Sequence, residues 1–369
     1  MATQVRKTYD SLSMPQIVEL LLAVNGGVTI MVEGEMGSGK SSILPALHAK
    51  LPDHVPCYVE CACMDVGDIA VPKIITLDGA VLGEFVTSGE VCRFVPNESF
   101  GLHLGKKLII MWDELGKAPR AVINAVSRVI NEGALGLYRI MEGSIQFATT
   151  NLAAEGVGDQ LLPHIRDRMC RVKMRKPTHM EWVENYAMFN QLHPAVIGFA
   201  MEYPQAFESF EDVEDPNSNH YIFHPKSPRR NFVTARSLTK SSHLLFATER
   251  MTDDVRIHAL MGMVGEAAAM DIITLARLSD DLPTFERIIM DPSGCQTPKS
   301  GVASCMLIAK IAMRIDRENL DACMEYVQRL SKEVQALFAR TIMRSAKKDI
   351  AASHKSFIMW ASDNMYLFS

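Results

Sequence analysis

The sequence predicts an α/β fold: a parallel sheet flanked by helices, followed by an all-helical remainder. Three observations predict it. Strand-length apolar runs alternate with helix-length segments through the first 176 residues, the pattern of strands joined by crossover helices. The first run leads directly into Gly34-Glu35-Met36-Gly37-Ser38-Gly39-Lys40-Ser41-Ser42, a glycine-rich loop that opens a helix. Beyond Lys176 the chain turns helical, with apolar residues at helical spacing.

The elements follow in order. Strands are expected at 28–33, 56–61, 107–113, 144–150 and 170–174, and helices at 15–24, 40–50 and 117–132. The third strand, Lys107 to Asp113, is an apolar run ending in acid, and the fourth runs from Ser144 to Thr150. Two insertions interrupt the pattern. Residues 65–100 hold several glycines and short β-like pieces, Leu82–Val86 and Glu90–Val95, and residues 133–143 resemble a hairpin. Thr178 and Glu181 form a capping box for a helix over 179–190, with another at 194–202. Residues 211–230 read as a loop, and Ser227-Pro228-Arg229-Arg230 as the opening of the next helix. Phe232, Ala235, Leu238, Ser242, Leu245 and Phe246 recur at helical spacing. From Asp253 onward, helices are expected between breaks at Pro283, Pro292 and Pro298, with Gly262 and Gly265 marking close helix packing.

The glycine-rich loop names a ligand class. Glycines let backbone N–H groups turn inward around an anion, and the following helix offers its positive end to the same phosphates. In this pattern Lys40 reaches the β- and γ-phosphates and Ser41 holds Mg²⁺, which points to ATP. The loop needs an acidic partner, and Asp113-Glu114 follows the third strand directly. Asp113 suits the Mg²⁺ shell, since that ion keeps several waters and prefers carboxylates. Glu114 suits orientation of the attacking water. Asn151 closes the fourth strand, where an amide either holds the γ-phosphate or its water, or simply turns the chain. Arg166 and Arg168 precede the fifth strand. They are either surface cations or forks that reach a nucleotide on a neighbouring subunit. Among Arg229, Arg230 and Arg236, one could contact the γ-phosphate from a helical lid.

Composition bounds the rest. The chain has 369 residues, enough for two or three domains, with 48% apolar and 22% charged residues. A net charge of −5 argues against non-specific DNA binding as the main role. No apolar run approaches the roughly 20 residues that span a bilayer, and Met1–Lys7 is not followed by a signal-peptide core. A cytoplasmic location with reduced thiols is therefore expected. Cys57, Cys61 and Cys63 lack paired ligand spacing and read as packing rather than a metal site.

Together the residues carry a resemblance. Gly34–Ser42, Trp112–Ala118, Phe147–Asn151, His164–Met169 and Ser227–Arg229 match, in order and spacing, the motifs of MoxR-like AAA+ ATPases, in the branch with an insert after the second strand (the helix-2-insert branch). The match runs over about residues 14–250. The resemblance implies an AAA+ P-loop domain at 1–176 with its insert at 65–100, an all-α lid region at 177–250 and a helical C-terminal extension at 251–369. It implies that Gly34 to Ser42 cradle ATP and that Ser41 and Asp113 serve the metal. It makes Glu114 the catalytic acid, Asn151 the polar sensor, Arg168 the trans-acting arginine with Arg166 as second candidate, and Arg229 the lid sensor. The chain departs from the family in two places: Met169 stands where phenylalanine is common, and Arg230 follows Arg229. Such proteins form rings, usually hexamers, and remodel protein targets, often beside a partner with a von Willebrand A-type fold. Two rival readings are an AAA+ ATPase acting on nucleic acid and a nucleotide-gated scaffold with little turnover.

Overall fold

The computed structural model describes residues 11–82, 85–155 and 163–367. The chain divides into two compact units, Met1–Lys176 and Pro177–Ser369. In the first, the order is α1 (Met14–Val24), β1 (Ile30–Glu33), α2 (Ile43–Lys50), β2 (Val55–Glu60), β3 (Ala70–Leu82), β4 (Phe85–Pro96), β5 (Leu108–Asp113), α3 (Arg120–Glu132), β6 (Ala134–Leu135), β7 (Tyr138–Arg139), β8 (Ile145–Thr150), α4 (Pro163–Arg166) and β9 (Cys170–Lys173). Five strands form one parallel sheet in the order β2-β5-β8-β1-β9. This is an α/β P-loop fold, and each of the five strands lies within two residues of its expected position.

The central strand shows why the sequence folds this way. All six residues of β5 are buried. Leu108, Ile110 and Trp112 pack in one cluster with Val122, Ile123, Val126 and Val129 of α3. Ile109 and Met111 pack in another with Ile17, Val18 and Leu21 of α1 and Ile43 and Leu47 of α2. Successive side chains point to opposite faces, and both faces are covered, so the strand reads as one apolar run. Each such side chain contributes about 1.5–3 kcal/mol. Helix α3 stops at Gly133, whose φ of 61° lets its N–H reach Val129 O at 2.9 Å.

Several expectations need correction. The helix predicted from residue 117 begins at Arg120. Pro119 biases Ala118 toward extended backbone, observed at ψ 151°, so the helix cannot run through it. The helix expected from residue 40 opens with a 3₁₀ turn, Lys40–Ser42, before α2. The insert is one long antiparallel ribbon rather than short pieces: β3 pairs with β4 from Ala70–Pro96 to Leu82–Phe85, with a bulge between Leu77 and Ala80. Gly83 and Glu84 lie outside the described residues, as does the Met1–Lys7 segment. Pro72 lies within β3, where it is tolerated because a two-stranded ribbon has only edge strands.

The second unit is helical. The first predicted helix is an α-turn, His179–Trp182, that widens into a π-turn over Val183–Ala187. Its capping box is present, with the Glu181 N–H donating to Thr178 Oγ1 at 3.2 Å. Helices follow at Pro194–Glu202, Ala235–Phe246, Asp253–Val264, Glu266–Asp281, Phe285–Met290 and Gly301–Arg314, with four more beyond. One apolar cluster includes Trp182, Phe199, Leu238, Ile272, Met306, Phe338 and Trp360. Ser227–Arg230 does not open a helix; the next one starts at Ala235, capped by Thr234. Gly262 does not mark close packing, since a Cβ there would meet open space, whereas Gly265 is the break between two helices at φ 87°. Among the described residues, no helix is long and apolar enough to cross a membrane.

Candidate nucleotide-binding site

The loop Gly34–Ser42 leaves the carboxyl end of β1, where ligands bind in open parallel sheets. Gly37 and Gly39 adopt φ values of 76° and 93°, which L side chains rarely take. At Gly34 the limit is space, because a Cβ would lie 2.8 Å from Met174 O. The Gly34 N–H donates to Thr150 O of the neighbouring β8 at 3.2 Å, tying the loop to the adjacent strand end.

Lys40 is buried, and its ammonium donates to Gly34 O at 2.7 Å and Glu35 O at 2.9 Å. Burial pulls its pKa down to about 8, opposed by the nearby carboxylates of Glu155, Asp113 and Glu114. Glu35 pairs with Lys176 at 2.8 Å, fixing the loop to the end of the first unit. Ser38 Oγ is buried with no protein partner among the described residues. An orphaned hydroxyl beside a buried ammonium fits a bound triphosphate. Ser41 and Ser42 are exposed on the 3₁₀ turn, and Met36 is half-buried.

The acidic pair sits at the end of β5. Asp113 is buried, and both its oxygens accept hydroxyl protons from the flanking strands: Oδ2 from Tyr58 of β2 at 2.7 Å, and Oδ1 from Thr149 of β8. Glu114 adopts φ 52°, uncommon for a side chain other than glycine. Its N–H donates to Thr149 Oγ1 at 3.1 Å, and its carboxylate pairs with Lys117 at 3.0 Å. Asn151 is buried just beyond β8, and its side chain has no hydrogen-bond partner among the described residues. The sheet order thus brings together Lys40, the Asp113-Glu114 pair and Asn151, at the ends of β1, β5 and β8.

Arg166 and Arg168 are exposed, at the end of α4 and in the turn after it. The Arg168 guanidinium makes no hydrogen bond or ion pair among the described residues. Arg229 belongs to the second unit, and its guanidinium donates to Asn219 O at 2.6 Å and to Pro216 O, clamping the loop before it. Cys57 and Cys61 are buried and Cys63 exposed, and no metal-binding cluster of His, Cys, Asp or Glu occurs among the described residues.

Sequence reasoning missed Tyr58, Thr149, Glu155, Lys117 and Lys176. Glu155 Oε1 accepts the Met36 N–H at 2.8 Å, and its Oε2 is buried without a partner. Burial raises the pKa of this carboxyl. A polar residue two steps before Asn151 was the available signal for Thr149. Glu155 had none, since it lies 119 positions from the amide it meets.

No protein-family model matches the chain, and no curated protein matches it. Solved structures similar to it include one described as a "putative ATPase" from Cytophaga hutchinsonii. That protein is 11% identical, with 89% of this chain and 81% of that chain covered, at a TM-score of 0.33. At that TM-score the likeness carries no weight, and the function rests on this chain's own residues.

Proposed function

We propose that this chain is a Mg²⁺-dependent ATPase of the MoxR-like AAA+ type. It forms a ring, with six subunits the expected number, and uses ATP hydrolysis to remodel or activate a protein partner. The observation that supports this reading most strongly is the meeting of a buried Lys40 in a glycine-turned loop with Asp113-Glu114 two strands away. In this reading the loop amides and Lys40 bind the phosphates. Ser41 and Asp113 would hold Mg²⁺, which would neutralise charge developing on the phosphoryl oxygens. Glu114 accepts a proton from the attacking water, and Asn151 orients that water or the γ-phosphate.

Arg168, exposed and with no guanidinium partner among the described residues, suits a contact to a nucleotide on a neighbouring subunit, with Arg166 the alternative. Arg229 serves as lid sensor only by leaving the carbonyls of Pro216 and Asn219. A cytoplasmic setting and a von Willebrand A-type partner belong to the same reading.

Steady-state phosphate release, with and without Mg²⁺, tests the activity. Binding of ATP without turnover would support the scaffold reading instead. Retention of single- or double-stranded DNA at moderate salt would favour the nucleic-acid reading.

A further inference from the structure

We propose that Thr149 is a positioning residue for hydrolysis, setting the metal-shell acid and the backbone of the water-orienting acid with one hydroxyl. The inference rests on the ATPase reading above and assigns a role to a residue outside its motifs.

The geometry is specific. Thr149 Oγ1 donates its proton to Asp113 Oδ1 and accepts the Glu114 N–H at 3.1 Å. Thr149 is completely buried, so no water competes for either bond. A threonine hydroxyl carries one proton and two lone pairs, and these two bonds give the proton one destination. The orientation is then fixed: the Glu114 amide must donate, so the hydroxyl proton goes to Asp113 Oδ1. The second bond falls on a residue at φ 52°, a backbone conformation that glutamate seldom adopts unaided. The same hydroxyl therefore holds the carboxylate expected to order the Mg²⁺ waters and the backbone that aims the adjacent carboxylate. Tyr58 completes the grip on Asp113 from the opposite strand, but its ring is about half exposed, so water can replace it.

The role is in positioning because Thr149 is walled off behind Asp113 and Glu114. It sits on β8, the strand whose Thr150 O also accepts the Gly34 N–H. Its removal should disturb metal use and turnover more than phosphate binding.

The test compares Thr149→Val, which keeps the shape and loses the hydroxyl, with Thr149→Ser, which keeps the hydroxyl. Nucleotide affinity without Mg²⁺ should stay within about 2-fold of wild type in both. Thr149→Val should lose roughly 10–100-fold in kcat, the range seen when groups that orient metal ligands are removed. It should also need several-fold more Mg²⁺ for half-maximal turnover, with little change in KM measured at saturating Mg²⁺. Thr149→Ser should recover most of kcat and a near-normal Mg²⁺ requirement. Amide hydrogen exchange at Glu114 should quicken in Thr149→Val and stay slow in Thr149→Ser. Wild-type kcat and Mg²⁺ dependence in Thr149→Val would overturn the proposal. Equal loss in both variants would also overturn it, by pointing to packing. If the wild-type protein hydrolyses no ATP, the ATPase reading fails, and with it the hydrolytic role of Thr149. The exchange measurement keeps the two failures apart, because it reports the hydroxyl's hold on Glu114 directly.

Discussion

The backbone N–H of Met36, inside the glycine-rich loop, donates to Oε1 of Glu155 at 2.8 Å. An amide of the phosphate cradle therefore serves a carboxylate of the protein itself, and that carboxylate lies within electrostatic reach of Lys40. A triphosphate entering the loop meets this like charge. Glu155→Gln should bind ATP roughly tenfold more tightly, the order expected when a partly buried repulsion is removed. Burial holds the Glu155 pKa above the usual carboxylate range, so the wild-type carboxyl becomes neutral as pH falls. The two proteins should converge in affinity toward acid pH and separate above it, measured by calorimetric titration between about pH 5 and 7.5. Weaker binding by Glu155→Gln would instead make the carboxylate a brace for the loop.

Lys40 gives a second dependence on pH. Its folded pKa lies near 8, against 10.5 for the unperturbed group, so the folded chain binds this proton less tightly than the unfolded chain. Burying the ammonium costs most below pH 8, about 3 kcal/mol on this shift. The cost fades as pH rises from 8 to 10.5. Lys40→Met should therefore stabilise the protein below pH 8 and lose that advantage in alkali, as read by denaturant melts. ATP needs the charged form, so binding near pH 8.5 should take up a fraction of a proton. Calorimetry in two buffers of different ionisation enthalpy measures that uptake, and a zero value would mean that Lys40 is already fully charged.

The two halves of the site should fail differently. Glu114→Gln cannot accept a proton from water and should retain ATP while turnover falls by at least the roughly 10²–10⁴-fold of a lost general base. Lys40→Ala should lose nucleotide binding itself. Nucleotide-retention and phosphate-release assays on both variants separate the roles. Wild-type turnover by Glu114→Gln would remove its assignment.

Arg168 makes a prediction between subunits. Arginines that reach a transferring phosphoryl group from another chain contribute about 10³–10⁵ in rate. Arg168→Ala should lower turnover far more than affinity. Mixed with Lys40→Ala subunits, it should recover some activity at junctions that pair one intact half from each. Mixed rings without recovery would promote Arg166. A chain that stays monomeric with nucleotide at high concentration would end the argument for a trans-acting residue.

The ribbon β3–β4 exposes Val71, Ile74 and Phe94, at 62%, 71% and 51% of their surfaces. Thr76 pairs with Glu90 across it. Replacing residues 77–89 by an Asn-Gly turn should keep the remaining register and leave nucleotide binding intact. If the ribbon meets a substrate or partner on the ring's axial face, stimulation of hydrolysis by that partner should fall. Loss of ATP binding would mark the ribbon as part of the nucleotide domain's core.

Much of this was legible from sequence because it is local. The five sheet strands, the glycine-rich loop and the acid pair each announce themselves within a short window, and β5 does so because it is buried on both faces. The missing pieces are relations between distant segments. Nothing near Glu155 reveals that it meets Met36, and nothing near Tyr58 reveals that its hydroxyl reaches Asp113 on the adjacent strand. The ribbon was misread because its pairing joins residues as far apart as Ala70 and Pro96, beyond any short window. Gly262 was misread because a glycine's open space and its close contact look alike in one dimension.

One consequence of the strand order concerns distance. The loop strand β1 and the acid strand β5 never touch, and β8 lies between them. The spacing from Lys40 to Glu114 is therefore a dimension held by β8, much as a shim sets the gap between two jaws. Phe147, fully buried in the middle of that strand, faces no ligand in this reading, yet its packing in one cluster with Ile17, Ile43 and Leu47 helps hold the strand in place. A substitution there that leaves the sheet folded can still shift one jaw against the other. A misplacement of about 1 Å is enough to cost on the order of 10²-fold in rate. Loss of activity at Phe147 would then report a calibration error rather than a missing chemical group.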